Sequence, residues 1–172
     1  MSVRSRMRHP VRYACVTAAA ASLAVGLAPP ASAQPSGAYR IITSTGRCAG
    51  VSSQYEALWV RPCDAQDIGQ QFRFTSTTGT SSTRQIRTAY DRCLEGQGDT
   101  YGTFIAQQPC RKSDDDPKGQ EFISTQLSNG KYQIKTRYNR CLEVEGSGDL
   151  GLIVQDHCFT DATQEFVLER IS

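Results

Sequence analysis

Two glutamates, Glu95 and Glu143, are the residues of this chain whose type and spacing most directly suggest chemistry. Each is the third residue of a Cys-Leu-Glu tripeptide, and the two tripeptides begin at Cys93 and Cys141. A pair of carboxyl groups can hydrolyse a glycosidic bond when the two lie roughly 5–10 Å apart. The sequences around these two glutamates are so alike that they indicate equivalent positions in repeated units. We therefore expect the carboxylates to lie far apart on the surface, and hydrolysis by this pair is not predicted.

Other catalytic or metal-binding sets are not found in the sequence. Apart from residues 1–33 the chain has one histidine, His157, which leaves no convincing Ser/His/Asp set. There is no Cys-x-x-Cys, His-Glu-x-x-His, phosphate-binding glycine loop or dinucleotide fingerprint. The acidic run Asp114–Asp116 is interpreted as a solvated loop rather than a cation site. We predict neither catalysis nor a metal or cofactor.

Both glutamates belong to a sequence that is repeated three times. Each copy opens with Ile-x-Thr-x-x-x-Arg-Cys, reaches a second cysteine and closes with Gln-x-Phe. The opening motifs begin at Ile41, Ile86 and Ile134, and their cysteines are 45 and 48 residues apart. A period of roughly 20–50 residues is typical of folds built from repeated supersecondary units. The predicted units, numbered one to three, cover about residues 38–80, 81–127 and 128–172.

Residues 1–33 have the features of a secretory signal peptide. The first 12 residues contain four arginines and no acidic residue, and an apolar run covers residues 16–28. Ala31-Ser32-Ala33 then provides a small-x-small cleavage site. We therefore predict that residues 34–172 are secreted into the extracellular space as a single soluble domain. Without the leader, 15 Lys and Arg face 17 Asp and Glu, so the net charge is −2 rather than +2. That balance predicts no binding to nucleic acid or to an anionic membrane.

The six cysteines of residues 34–172 are expected to form disulfides. An even number of cysteines in an exported domain is typical of a disulfide framework. If the three units are built alike, the cysteines pair within each unit. The predicted pairs are Cys48–Cys63, Cys93–Cys110 and Cys141–Cys158. By the loop-entropy relation each disulfide contributes roughly 3 kcal/mol to stability.

Short strands are predicted along the whole repeated region. No stretch keeps helical periodicity for three turns, whereas four strand-like stretches recur in each unit. The segments Thr75–Thr83 and Gln126–Gly130 are predicted to link the units. Twelve such strands in three units close into a barrel without free edges, so the predicted fold is an all-β, pseudo-threefold β-trefoil with one disulfide in each repeat. The predicted strands are Tyr39–Thr43, Cys48–Val51, Leu58–Pro62, Gln71–Phe74, Arg84–Thr88, Cys93–Glu95, Thr103–Gln107, Glu121–Ser124, Tyr132–Thr136, Cys141–Val144, Leu152–Gln155 and Glu165–Leu168. The predicted core is Ile41, Leu58, Phe72, Ile86, Leu94, Ile105, Phe122, Ile134, Leu142, Ile153 and Phe166.

The combination of Cys-Leu-Glu, a short second strand, a second cysteine and a closing Gln-x-aromatic resembles the ricin B-type (R-type) lectin family. The resemblance covers essentially all of residues 34–172, and it implies a carbohydrate-binding β-trefoil. In a sugar-binding unit of that family, an Asp two residues after the first cysteine accepts hydrogen bonds from two adjacent hydroxyls. An aromatic ring two residues before the second cysteine covers the apolar face of the sugar. The closing Gln, often with an Asn before it, supports the carboxylate.

The chain departs from the family pattern at several of these positions. All three closing motifs are Gln-x-Phe instead of the usual Gln-x-Trp, which still keeps an aromatic ring in the core. The carboxylate position holds Gly50, Glu95 and Glu143. The ring position holds Arg61, Gln108 and Asp156, and the Asn position holds Gly69, Gly119 and Thr163. The sugar sites are therefore degenerate, and unit one is expected to be structural only.

The resemblance assigns carbohydrate contacts to units two and three. The predicted contact residues are Glu95, Tyr101, Gln108, Gln120, Glu143, Asp156 and Gln164. Tyr101 lies in the loop after the first cysteine of unit two and is a candidate substitute for the missing ring, as Tyr55 is in unit one. Unit three has only Leu150 nearby, but it adds Asp156 and His157 beside Glu143.

Each of these residues also has a structural interpretation. Glu95 and Glu143 could be solvated, or hydrogen-bonded locally beside the repeated arginines. Tyr101 could pack on its own loop, and the recurring glutamines favour a structural hydrogen-bonding role. Trp59 is expected in the core or half-buried, and His157 at the surface.

These observations predict a secreted, monomeric, non-catalytic lectin-like protein whose partner is a glycan or polysaccharide. The competing hypothesis is a secreted protein-interaction module, such as a protease inhibitor or a subunit of an exported complex. The missing rings and the inserts Thr75–Thr83 and Arg111–Gly119 favour that alternative. Elution of the protein from a polysaccharide resin by a simple sugar would distinguish the two.

Overall fold

The computed structural model describes most of the repeated region. The described residues are 35–54, 56–77, 80–112, 117–146 and 151–171. The predicted signal peptide, the candidate ring Tyr55, Leu150 and the acidic run Asp114–Asp116 lie outside them. Among the described residues, no helix is both long and apolar enough to span a bilayer.

The described chain is built from thirteen short strands that form one antiparallel sheet. In chain order they are β1 (Gly37–Thr43), β2 (Cys48–Gly50), β3 (Trp59–Arg61), β4 (Phe72–Thr77), β5 (Thr80–Thr88), β6 (Arg92–Glu95), β7 (Thr103–Phe104), β8 (Ala106–Pro109), β9 (Phe122–Gln126), β10 (Tyr132–Thr136), β11 (Cys141–Glu145), β12 (Leu152–Asp156) and β13 (Phe166–Arg170). Short 3₁₀ turns precede the closing phenylalanine of each unit, at Ile68–Gln70, Pro117–Gln120 and Ala162–Gln164.

The three units are joined by a closed ring of backbone hydrogen bonds. Leu58 N–H donates to Ile105 O at 2.8 Å, and Ile105 N–H donates to Ile153 O at 2.8 Å. Ile153 N–H completes the ring by donating to Leu58 O at 2.9 Å. The three side chains are fully buried. Each unit therefore supplies one donor and one acceptor to the centre, as expected of the predicted β-trefoil, which the structure confirms.

The side chains of the repeated apolar positions form a single core. All eleven positions predicted to be buried are fully buried, and Ala49 takes the place that Leu94 and Leu142 occupy in the other units. Burying a large apolar side chain contributes about 1.5–3 kcal/mol, so this core is the main stabilising feature of the fold. Trp59 is half-buried, as expected.

The disulfides and the turns before them repeat in all three units. The bonds Cys48–Cys63, Cys93–Cys110 and Cys141–Cys158 are present, with Cα–Cα distances of 4.9–5.0 Å. Two residues before each first cysteine the backbone is left-handed, at Gly46, Asp91 and Asn139. Glycine, Asp and Asn tolerate this conformation best. The predicted pairing is confirmed.

Two expectations about strands were wrong. The strand predicted over Thr103–Gln107 is interrupted at Ile105, because this residue joins the central ring: β7 pairs with β12, while β8 pairs with β6. This interruption makes thirteen strands rather than twelve. The predicted linker Thr75–Thr83 is largely strand, because its β-branched threonines suit extended backbone and β4 pairs with β5 from Phe72–Thr88 to Thr77–Thr80.

Unit three contains a contact that makes stability depend on pH. Lys131 Nζ donates to Glu165 Oε2 at 2.9 Å, and Asn129 Nδ2 donates to the same oxygen at 3.1 Å. The Lys131 hydrogen bond is the main cause that holds the pKa of Glu165 below its ordinary value. A carboxyl group with a lowered pKa stabilises the fold above its unfolded pKa, and this contribution is lost as the pH falls through the folded pKa.

Replacing Lys131 with methionine is expected to raise the pKa of Glu165 toward its ordinary value, because the largest cause of the shift is removed. An NMR titration of the Glu165 side-chain carboxyl measures this directly. Asn129→Ala is the control, and it should give a smaller rise because its hydrogen bond is the lesser contribution. An unchanged Glu165 pKa in Lys131→Met would contradict the assignment.

Candidate functional site

The closing glutamine of each unit fixes the backbone around the second cysteine. Its side-chain oxygen accepts the N–H of the residue after that cysteine at 2.8–2.9 Å. Its amide nitrogen donates to the carbonyl of the residue before that cysteine at 2.6–2.9 Å. The glutamines are Gln70, Gln120 and Gln164, and none is more than 1% exposed. Their recurrence in the sequence therefore has a structural cause, since a buried amide must be hydrogen-bonded.

The same amides hold the two glutamate side chains. An amide nitrogen has two hydrogens to donate, and the second is directed to the carboxylate two residues after the first cysteine. Gln120 Nε2 lies 2.8 Å from Glu95 Oε2, and Gln164 Nε2 lies 2.8 Å from Glu143 Oε2. The structure thus brings together the glutamine and the glutamate that were predicted within unit two and within unit three.

In unit one the corresponding position is filled. A Cβ atom on Gly50 would lie 3.3 Å from Gln70 Cγ and 3.4 Å from Arg61 Cδ. The guanidinium of Arg61 lies 3.8 Å from an Asp67 carboxylate oxygen. Unit one therefore places an arginine stem where the other units place a carboxylate.

In unit two the carboxylate is present but enclosed. Glu95 is 7% exposed, and Arg111 Nη2 donates to its Oε1 at 2.7 Å while Gln120 holds its Oε2. Gly119 lies so close that a Cβ there would be 3.1 Å from Glu95 Cγ. Gln108 donates instead to Glu56 Oε2 of unit one at 3.1 Å. Both oxygens of Glu95 are engaged by the protein itself.

In unit three the carboxylate is more open. Glu143 is half-buried, and among the described residues its Oε1 has one hydrogen-bond contact, from the Thr163 hydroxyl at 3.5 Å, which is long for a hydrogen bond. Within the described residues no cation forms an ion pair with Glu143. Asp156 lies on the same face of the β11–β12 pair, since it is opposite Cys141 and Glu143 is opposite Val154. Its Oδ1 accepts the N–H of His157 at 2.6 Å.

Exposed aromatic rings cluster around His157 in the same unit. The Tyr101 and His157 rings stack with centroids 3.6 Å apart and an interplanar angle of 21°, and Arg140 Cζ lies 4.0 Å from the Tyr101 centroid. The Phe159 ring is 6.0 Å from that of His157. Tyr101 is 42% and Phe159 57% exposed. The carbonyl of His157 and Oε2 of Glu143 accept from the same Gln164 nitrogen, so one amide joins the carboxylate to the backbone that carries the His157 ring.

Tyr101 reaches this surface because the loop of unit two crosses onto unit three. Gln155 Nε2 donates to the carbonyls of Gly98 at 3.0 Å and Thr100 at 2.8 Å. Arg140 Nε donates to Asp99 O at 2.9 Å, and Gly102 N–H donates to Gln155 O at 2.9 Å. The loop that bears Tyr101 is therefore held by hydrogen bonds to Arg140 and Gln155 of unit three.

The structure therefore distributes the predicted residues differently from the sequence interpretation. Tyr101 was considered as the ring of unit two, and its ring contacts are with Arg140 and His157 of unit three. His157 is at the surface, as expected, and it is one of the stacked rings. Phe159 was not predicted, although a signal exists: it directly follows the second cysteine, where the other units have Asp64 and Arg111.

Comparison with known proteins identifies the family and the fold. Residues 37–166 match the family model of the ricin-type beta-trefoil lectin domain. No curated protein sequence matches the chain. Among solved structures, a designed threefold-symmetric protein, ThreeFoil, superposes with a TM-score of 0.67 at 14% identity, over 78% of this chain and 99% of that one.

Two natural proteins show the same likeness. A Polyporus squamosus lectin, solved with a human-type influenza-binding epitope, has a TM-score of 0.65 at 15% identity, over 80% of this chain and 50% of the lectin. The cytolethal distending toxin of Actinobacillus actinomycetemcomitans has a TM-score of 0.64 at 16% identity, over 77% of this chain and 90% of that one.

Proposed function

Because the chain belongs to the family of ricin-type beta-trefoil lectin domains, we propose that it is a secreted, non-catalytic carbohydrate-binding protein whose sugar site lies in unit three. The observation that carries the proposal is the contrast among the units. At the position two residues after the first cysteine, unit one has no carboxylate and unit two has one that Arg111 covers. Unit three has a carboxylate there that is half-buried, and the same unit carries exposed rings. A site of this kind is found once in the described residues.

The chemistry of the unit-three surface suits a sugar ring. The Glu143 carboxylate has acceptor capacity left on Oε1, since Thr163 is 3.5 Å away, and a carboxylate offers about four lone-pair directions. It can therefore accept from two neighbouring hydroxyls. Phe159 offers an exposed apolar face for the C–H groups of the sugar, and Tyr101 offers the exposed edge of its ring. Aromatic faces beside a few placed polar groups are typical of small-molecule sites.

The stack on Tyr101 also prepares the site for binding. Arg140 and His157 both lie over the Tyr101 ring, and they cannot occupy the same face of it. The ring is therefore held between them, and the Tyr101 residue as a whole is 42% exposed. A ring already fixed before binding loses little conformational entropy when the ligand arrives.

Replacing Tyr101 with alanine is expected to weaken glycan binding by about tenfold or more, since truncating a central aromatic contact typically costs more than about 1.4 kcal/mol. A glycan and polysaccharide array would identify the ligand, and titration calorimetry with that ligand would measure the change.

Val167→Ala is the matched control for this experiment. Val167 is 42% exposed, as Tyr101 is, but it lies opposite Ile42 on β13, which pairs with β1 and β10 rather than with β11 or β12. Its replacement should leave affinity unchanged. Equal affinity of Tyr101→Ala and the unchanged protein would place the site elsewhere, and the absence of any retained glycan would remove the proposal.

A protein-interaction module is the second candidate, because two of the three carboxylate positions are closed by arginines. Arg61 fills the position in unit one and Arg111 covers the one in unit two. In that case the exposed rings of unit three would contact a protein surface. A simple sugar would then fail to elute the protein from its partner, whereas a lectin bound to polysaccharide would be released.

A further inference from the structure

A pocket whose lining differs from that of the proposed sugar site lies at the junction of units one and two. It has a volume of about 250 Å³ and opens on the outer face of β1, β4 and β5. Arg73 and Arg87 line it, together with Ala38, Gln71, Ala89 and Asp91.

The two arginines are direct neighbours across the β4–β5 pair. Arg73 is opposite Arg87, and on its other side Arg73 is opposite Ala38, which leaves space beside it. Both arginines are exposed. In the part of the chain that the structure describes, neither guanidinium has an ion pair or hydrogen bond. Like charges directly opposite each other on a sheet are destabilising. Arg73 and Arg87 therefore weaken the β4–β5 pairing rather than support it.

The internal threefold repeat shows that the fold does not need two cations at this position. At the junction of units two and three the equivalent pair is Ile123 and Lys135. At the junction of units three and one it is Val167 and Ile42. The same pair of strand positions is therefore occupied by at most one cation elsewhere in this chain.

The internal counter-charge is also missing at this junction. The residue before the closing phenylalanine is Glu121 in unit two and Glu165 in unit three, and each forms an ion pair at 2.9 Å, with Arg137 and Lys131 respectively. In unit one that residue is Gln71.

The long side chain that covers this position is missing as well. Ala89 stands where unit three has Arg137, which leaves the space beside Gln71 open. The pocket thus arises from two differences in sequence. Gln71 stands in place of a carboxylate, and Ala89 opens a volume next to the guanidinium groups of Arg73 and Arg87.

We propose that this pocket binds the carboxylate of an acidic saccharide. Two guanidinium groups present planar sets of donors that match an oxyanion. Asp91, which also lines the pocket, disfavours a bare anion but can accept from the hydroxyls of a sugar. The saccharide half of this inference depends on the proposed function, whereas the oxyanion half depends only on the pocket.

The test is an NMR titration of the purified, oxidised protein, with the ionic strength held constant by sodium chloride. The probes are glucuronate, glucose, sodium sulfate and sodium phosphate. Glucuronate is expected to shift the amide signals of Arg73, Arg87 and Asp91 in a saturable way, and glucose is expected to leave them unmoved.

Two double variants copy residues that the chain already uses at the next junction, and both are therefore expected to fold. Arg73→Ile/Arg87→Lys reproduces Ile123 and Lys135, and Gln71→Glu/Ala89→Arg reproduces Glu121 and Arg137. Each is expected to weaken glucuronate binding at least tenfold.

Three results would overturn the proposal. They are unsaturable shifts, equal affinity in the double variants, or saturation by sulfate and phosphate with no response to glucuronate. The last would identify a site for free inorganic anions. Tyr101→Ala separates this proposal from the proposed function, because it should weaken glycan binding through unit three by about tenfold or more and leave the glucuronate shifts at Arg73 unchanged.

Discussion

Glu143→Gln is expected to lower glycan affinity about 100-fold, while Glu95→Gln is expected to change it less than about twofold. A hydrogen bond to a charged group contributes about 1.5–3 kcal/mol, and Glu143 is proposed to accept two such bonds, so a loss of about 2.7 kcal/mol or more follows. In the variant, the new amide group would also face the Gln164 amide that now donates to Oε2 at 2.8 Å.

Glu95 is the internal control for this prediction, because its oxygens are already bound by Arg111 and Gln120. Calorimetry with the ligand selected on the array measures both affinities, and circular dichroism verifies that each variant is folded. Equal losses in the two variants would mean that Arg111 moves aside and that unit two binds sugar as well. Equal retention would exclude both carboxylates from the site.

Gln120→Leu is expected to lower the free energy of unfolding by about 3–5 kcal/mol, the range found when one partner of a buried charged network is removed. The substitution leaves three groups without their amide partner: the N–H of Arg111, the carbonyl of Pro109 and the buried carboxylate of Glu95. Urea unfolding with the disulfides intact measures the loss from the transition midpoint and its slope.

Gln70→Leu is the matched comparison, because Gln70 makes the same two backbone hydrogen bonds but has Gly50 in place of a carboxylate. We expect its loss to be smaller by about 1.5–3 kcal/mol, the contribution of a hydrogen bond to a charged group. Identical losses at the two positions would show that the carboxylate contact contributes nothing to stability.

Features that recur in all three units were predictable from the sequence, because three copies report the same environment three times. The isoleucines, the closing phenylalanines and the cysteine pairs gave the fold, the core and the disulfides in this way. The interruption at Ile105 was not predictable, because it depends on a backbone bond to Ile153 in another unit. The local sequence Thr103–Gln107 contains no pattern that predicts a hydrogen bond to Ile153.

The candidate site was only partly predictable for a similar reason. Glu95 and Glu143 have the same neighbours in sequence, and they differ because Arg111 follows one second cysteine and Phe159 follows the other. The contact of Arg111 with Glu95 spans 16 residues. Tyr101 joins unit three because Gln155 and Arg140 hold its loop there, and this placement requires the arrangement of whole units.

The hydrogen-bonded ring of Leu58, Ile105 and Ile153 has a direction of donation and no first member. Each unit donates to the next and accepts from the previous one. The same three hydrogen bonds would therefore form whichever unit came first in the chain. The first strand, β1, pairs with the last, β13, and the two ends of the domain therefore lie side by side. A circular permutant that opened in the turn between β9 and β10 would keep every bond of the ring. Three separate one-unit chains could close the same ring as a trimer. What the single chain adds is a fixed order of three different units, which three identical one-unit chains could not provide.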